Sequence, residues 1–202
     1  MKTLDSFTKE LASNAPVPGG GGVSALLAAL SASLCSMAAN LTCGKEKYAD
    51  IQDELYSLIE TCENLRNESL SLIDGDTECF LPLVKAYSIP KDNPERESIL
   101  FDASLKACEA TCRVMECCCR TVELLEYLYS NGSRMMISDV GCGAVCAESA
   151  LKTAAMNILI NTKNYRSNPE AVSLEADVSD MLKEYGERAH AVSTAVMNSL
   201  KD

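Results

Sequence analysis

Two aspartates, a glycine-rich loop and a pair of amides are the residues whose types and spacing could carry chemistry. Asp76 closes the run Asp74-Gly75-Asp76, a helix-breaking tripeptide, and Asp139 stands in Ser138-Asp139 where a helix is expected to begin. A carboxylate can take a proton from a reacting group or stabilise a developing cation. At a helix start an Asp also serves as a simple cap, so Asp139 has both readings. Asn157 and Asn161 lie at i, i+4 in an otherwise apolar run. Buried amides need partners, so the pair predicts either an interhelical hydrogen bond or a ligand contact.

The run Pro16-Val17-Pro18-Gly19-Gly20-Gly21-Gly22 precedes a long apolar stretch. Glycines free the backbone to present N–H groups, and a helix N-terminus adds partial positive charge, so an anion or carbonyl could bind there. The same glycines would equally serve close packing. The loop is not a phosphate loop, because no Gly-Lys-Ser/Thr follows, and it is not a G-x-G-x-x-G turn after a strand. Lys45, Lys47, Lys91, Arg96 and Lys163 lie near expected helix ends, solvated or recruited to a cleft. The single His190 reads as structural or exposed, which leaves a Cys–His nucleophile pair without support.

The chain has 202 residues and 11 cysteines. Cys108, Cys112, Cys117, Cys118 and Cys119 invite a metal reading, yet no paired C-x-x-C knuckle accompanies them. The cysteines are read as free, metal-free thiols filling a core. No charged leader with an apolar core and cleavage site opens the chain, which with the thiols predicts a cytoplasmic protein. A net charge of −11 argues against binding to nucleic acid or an anionic membrane. It does not exclude an anionic small molecule in a cleft with a few basic groups.

The elements that must hold these residues all read as helical. Aromatic residues are 5% and Trp is absent, so Ala, Ser and Cys must fill the interior, which suits close-packed helices. A short helix is expected over 5–13. Val23 to Leu41 carries no charge and is long enough to span a bilayer, but its Ala and Ser content and Asn40 make it the buried central helix of a bundle. An amphipathic helix is expected over 46–73, broken at Asp74-Gly75-Asp76, with a short helical segment over 77–87. Asn93-Pro94 predicts a helix start and Asn131-Gly132 its stop. A second buried helix is expected over 141–161, and Asn168-Pro169 opens a last one towards Leu200. The architecture predicted is all-α: one domain over 1–202, a helical bundle with long, buried Ala-rich helices. The glycine loop is expected near the start of the second buried helix.

Four ordered blocks resemble a known family. Ala15-Pro16-Val17-Pro18-Gly19-Gly20-Gly21, continuing to Met37, Asn40-Leu41-Thr42 and Gly44-Lys45, is similar to the opening of the formiminotransferase-cyclodeaminase C-terminal family. Asp76-Thr77-Glu78-Cys79-Phe80 resembles its Asp-x-x-x-Phe, and Ala86 to Lys91 with Arg96 resembles its Ala-x-x-x-Pro-Lys and following Arg. Ser138-Asp139-Val140-Gly141, then Asn157 and Asn161, resemble its Ser-Asp and Asn-x-x-x-Asn blocks.

The resemblance implies an all-α homodimer acting on tetrahydrofolate derivatives, with no cofactor beyond that substrate. Some members release ammonia from 5-formiminotetrahydrofolate; others hydrolyse 5,10-methenyltetrahydrofolate. Asp76 and Asp139 are then the expected catalytic carboxylates, sharing one cleft with the loop. Pro18, Gly19, Gly20, Gly21, Lys45, Ser138, Asn157 and Asn161 are the expected substrate contacts, Lys45 pairing with the carboxylate tail. Three positions depart from the pattern: Gly22 stands where a Ser is usual, and Ser133 and Met135 where Asn is usual. A catalytically weak binding or partner subunit of the same family is the alternative.

Overall fold

A short helix, α1 (Leu4–Leu11), opens the chain, capped by Thr3, whose side chain accepts from the Ser6 N–H. The computed structural model describes residues 3–201. Five long helices follow: α2 (Gly20–Asn40), α3 (Gln52–Tyr87), α4 (Arg96–Asn131), α5 (Ile137–Thr162) and α6 (Pro169–Ser199). Two short 3₁₀ segments, Glu46–Ile51 and Arg134–Met136, precede α3 and α5. No strand occurs among the described residues, and the expected all-α bundle is what forms.

Helices α2 and α5 form the centre. α2 packs on α3 and α5, α4 on α3 and α5, and α6 on α5. The close approach of α2 to α5 follows from side-chain size: α2 buries Gly21, Ser24, Ala25, Ala28 and Ala32, and α5 buries Gly143, Ala144, Ala147 and Ala154. The Ser31 hydroxyl donates to the Gly143 carbonyl at 2.8 Å, satisfying a buried polar group across that seam. The helices are antiparallel, since Ser31 meets Gly143 while Gly20 meets Asn157.

Several sequence expectations are corrected. The Asp74-Gly75-Asp76 break is absent: α3 is one helix of 36 residues. A helical Gly loses only about 1 kcal/mol against Ala. Burial of Leu55, Leu58, Cys62 and Leu65 before it, and of Leu83 and Ala86 after it, outweighs that loss. The helix also absorbs Pro82. α4 begins at Arg96 rather than at Pro94, although Asn93 still accepts from the Glu95 N–H at 2.9 Å. α2 is not buried all round, because Leu30 and Met37 are exposed. The glycine loop packs at the C-terminal end of α5 rather than at its start, as antiparallel pairing requires.

Two helix-end signals form as expected. Asn168 caps α6 through the Glu170 N–H with Pro169 in the first turn. α4 stops at Asn131-Gly132, where the Gly132 N–H donates to the Leu128 carbonyl at 2.8 Å.

Candidate active site

The glycine loop, α3, α4 and the C-terminal end of α5 enclose a cavity of about 590 Å³. Its wall begins with Val17, Gly19, Gly20 and Gly21. Behind it, Leu83, Ala86, Leu100, Ala103 and Ala107 pack α3 on α4 with Phe80, fixing the angle at which α3 presents Asp76.

Among the described residues, Asp76 is the one acidic side chain of the lining, and it is 9% exposed. Burial pushes its carboxyl above the ordinary carboxylate range, and a hydrogen bond from the Gly22 backbone opposes that shift. Gly21 is necessary to this arrangement, because a Cβ there would land on the Asp76 carboxylate. Gly20 allows the same intimacy with Asn157, whose Nδ2 would lie 2.6 Å from an added Cβ. Gly22 faces away, towards Pro18 and Phe7, at ordinary contact distances.

Asn157 and Asn161 both line the cavity. Asn157 donates to the Thr153 carbonyl of its own helix at 2.7 Å, and both the nitrogen and the oxygen of its amide lie against Gly20 of the loop. Asn161 stands beside the Cys108 thiol on α4, which itself donates to the Ser104 carbonyl at 3.3 Å. Arg96 and Lys163 supply positive charge to the lining, and the Arg96 Nε is held by the Ile89 carbonyl at 2.9 Å. Tyr165, packed edge-on against Phe101 at 5.1 Å, closes one side. In a chain of net charge −11, one buried acid beside two cations makes a local reversal suited to an anionic ligand.

The other expected site residues stand elsewhere in the chain. Asp139 and Asn157 are 18 positions apart on α5 (157 − 139), about 27 Å along the axis. Asp139 therefore does not share the Asp76 cavity within one chain. It does not cap α5 either: Met136 occupies that position, without a side-chain bond, and Asp139 lies in the first turn, half-buried. Lys45 is at the same far end, its Nζ donating to Ser133 Oγ at 3.2 Å. Ser133 is buried, with its backbone N–H bonded to Thr42 Oγ1, whereas Met135 is 82% exposed. Ser138 lines a separate apolar groove between α5 and α6. Pro18, after a cis peptide bond, is buried behind the loop rather than on the cavity wall. His190 is exposed beside Glu148.

No group of three or more metal-ligating side chains forms among the described residues. Four of the α4 cysteines are core and Cys112 is half-buried: Cys118 is fully buried, and burial pushes the Cys108 thiol up to about 12.

The family model for formiminotransferase-cyclodeaminase matches residues 3–180, a span that contains the whole cavity lining. The chain belongs to this family. It is 33% identical to the methenyltetrahydrofolate cyclohydrolase of Methylorubrum extorquens, over 92% of this chain and 91% of that protein. It is 27% identical to the mouse formimidoyltransferase-cyclodeaminase over 98% of this chain, but spans only 37% of that longer protein. Its fold superposes on the formiminotetrahydrofolate cyclodeaminase of Thermotoga maritima with a TM-score of 0.84, at 25% identity and over 99% and 96% of the two chains.

For this family member, sequence reasoning missed Tyr87, Ser104, Asn164 and Tyr165 as cavity residues. Tyr87 sits inside the Ala86–Lys91 block, and Asn164 and Tyr165 follow closely on Asn161, so adjacency to recognised blocks was the available signal. Ser104 lies on an amphipathic helix with no local mark.

Proposed function

We infer that this protein hydrolyses the one-carbon bridge of 5,10-methenyltetrahydrofolate to give 10-formyltetrahydrofolate. The observation that carries the reading is Asp76: a buried carboxylate, cradled by the glycine loop, in a cavity whose other charges are cationic. Likeness over nearly full length to a cyclohydrolase supports it.

The chemistry asks for few groups. Water adds to the cationic bridge carbon and must lose a proton as the C–O bond forms. Asp76 is placed to take it; a positioned base of this kind contributes about 10²–10⁴-fold. The bridging carbon then parts from N5, which receives a proton, and one proton is released overall. Before it takes the proton, the ionised carboxylate also attracts the cationic bridge and so helps to seat the substrate. Arg96 and Lys163 suit the anionic tail, and Asn157 suits the pterin amide edge.

Release of ammonia from 5-formiminotetrahydrofolate is the second reading, favoured by the likeness to the Thermotoga enzyme. It asks the same carboxylate to move the N10 proton to the departing nitrogen. The direct test presents both substrates to the purified chain, following loss of methenyl absorbance and release of ammonia. Turnover of the methenyl form alone supports the first reading; ammonia release alone supports the second; neither removes both. We also propose, from the family resemblance, that the protein is a cytoplasmic homodimer needing no added cofactor or metal.

A further inference from the structure

The connector between α5 and α6 supplies three consecutive residues to the wall of the Asp76 cavity: Lys163, Asn164 and Tyr165. α5 ends at Thr162, so a helix does not carry them. Two backbone bonds give the connector its local shape: the Tyr165 N–H donates to the Thr162 carbonyl and the Asn168 N–H to the Tyr165 carbonyl, each at 2.8 Å. Bonds within a turn do not fix how the turn sits against the rest of the bundle. Something outside it must do so.

Glu175, in the second turn of α6, reaches back to both flanks of that stretch. Its Oε1 accepts from the Thr162 hydroxyl at 2.6 Å, and its Oε2 accepts from the Arg166 Nε at 3.2 Å. Thr162 immediately precedes Lys163–Tyr165 and Arg166 immediately follows it, so one carboxylate brackets the three cavity residues. The two bonds are unequal. Arg166 is largely exposed, and an ion pair in water holds little. Thr162 is fully buried, so its hydroxyl has no water to turn to, and a bond to an ionised acceptor there is a strong one.

The two cations of the cavity are held differently. Arg96 is tied by its Nε to the Ile89 carbonyl. The Lys163 ammonium makes no hydrogen bond or ion pair to any described residue, so its place on the wall depends on the backbone from which it springs. Glu175 takes the connector's other cation, Arg166, and leaves Lys163 to a ligand. We propose that Glu175, which does not itself line the cavity, is a positioning residue of the site: through Thr162 it holds the connector so that Lys163 meets the anionic end of the substrate. The identity of that substrate rests on the folate reading; the hold of Glu175 on the connector does not.

The first arm of the test compares Glu175→Gln with Glu175→Ala in the full chain. Both lose the charge, and only Gln keeps an oxygen that can accept from Thr162. Glu175→Ala should raise KM about 2–10-fold with kcat nearly kept, whereas Glu175→Gln should stay within about twofold of wild type. Equal KM in the two variants overturns the proposal, and so does a lower melting temperature of Glu175→Ala with KM unchanged. In a Lys163→Ala background the same Glu175→Ala change should add little, because the group through which it acts is gone. Losses that add in full overturn the route through Lys163.

The second arm needs no substrate. Amide hydrogen exchange of the free proteins reads the hold directly, since the Tyr165 and Asn168 N–H groups make the two bonds of the connector. Both amides should exchange faster in Glu175→Ala than in wild type, Glu175→Gln should restore their protection, and the amides of the buried Ala154 and Ala155 should not change. Unchanged exchange at Tyr165 and Asn168 overturns the hold. A wild type that turns over no folate fails the folate reading instead, and the exchange rates still decide whether Glu175 fixes this wall.

Discussion

Gly21 and Asp76 occupy one another's space: the carboxylate of Asp76 fills the position that a side chain on Gly21 would take. The glycine run is therefore not only a flexible turn. At Gly20 and Gly21 it is a surface without side chains, shaped around Asn157 and Asp76.

Gly21→Ala should displace the carboxylate and cut turnover by about 10²–10⁴, the loss expected when a general base is misplaced, at a stability loss of about 1–3 kcal/mol. Gly22→Ala, one residue on, meets Pro18 and Phe7 at 3.5 and 3.6 Å, ordinary contact, and should keep both turnover and stability. Steady-state rates with melting curves on the two variants check this. Equal losses at both positions would mean that the loop tolerates no side chain for reasons unconnected with Asp76.

The sequence carried the fold class well because its cues were local. Asn168-Pro169 and Asn131-Gly132 mark their helix ends through bonds made within a few residues. Asp74-Gly75-Asp76 misled because a local propensity of about 1 kcal/mol was set against tertiary burial along 36 residues, which no local window contains. The site was half legible. The motifs identified Asp76, Asn157 and Asn161, but their order along the chain is silent on which helix ends meet. That is fixed by α2 and α5 running antiparallel, which separates Asp139 and Lys45 from the cavity of their own chain. The bare face of α2 was illegible for a related reason: an uncharged Ala-rich helix looks the same whether its own chain covers all of it or only part.

Asp76 should weaken the fold at neutral pH. Its folded-state pKa is raised by burial, so the native state holds the proton more tightly than the unfolded chain. Stability then falls as pH rises from the ordinary carboxylate value through the raised one. Asp76→Asn removes that penalty, so it should melt higher than wild type at pH 7, with the gap closing in acid. Thermal unfolding of both proteins across pH measures it. A gap that stays the same from acid to neutral pH would contradict the burial account.

Asn157 should act on binding more than on chemistry. Asn157→Ala removes a polar contact worth about 0.5–1.5 kcal/mol, a change of several-fold in KM with kcat nearly kept. A kcat loss as large as that of the Asp76 variant would place Asn157 in proton transfer.

The thiols should divide by burial. Cys142 is exposed, whereas Cys118 is fully buried and its thiol is pushed up by burial. Alkylation of the native protein should modify Cys142 first and spare Cys118 until unfolding, and elemental analysis should find no stoichiometric zinc or iron. Protection of Cys142 that disappears on dilution would locate it at a contact between copies.

If Asp76 moves the proton in the folate reaction, the charge on its side chain must control turnover. The most direct measurement is the decay of methenyltetrahydrofolate absorbance under wild type and Asp76→Asn, followed across pH. Wild-type kcat/KM should fall in acid with a midpoint above the ordinary carboxylate value, because the base must be ionised. The variant should bind substrate, turn over about 10²–10⁴-fold more slowly and lack that acid limb. A folded Asp76→Asn protein with wild-type turnover and an unchanged pH profile would contradict it.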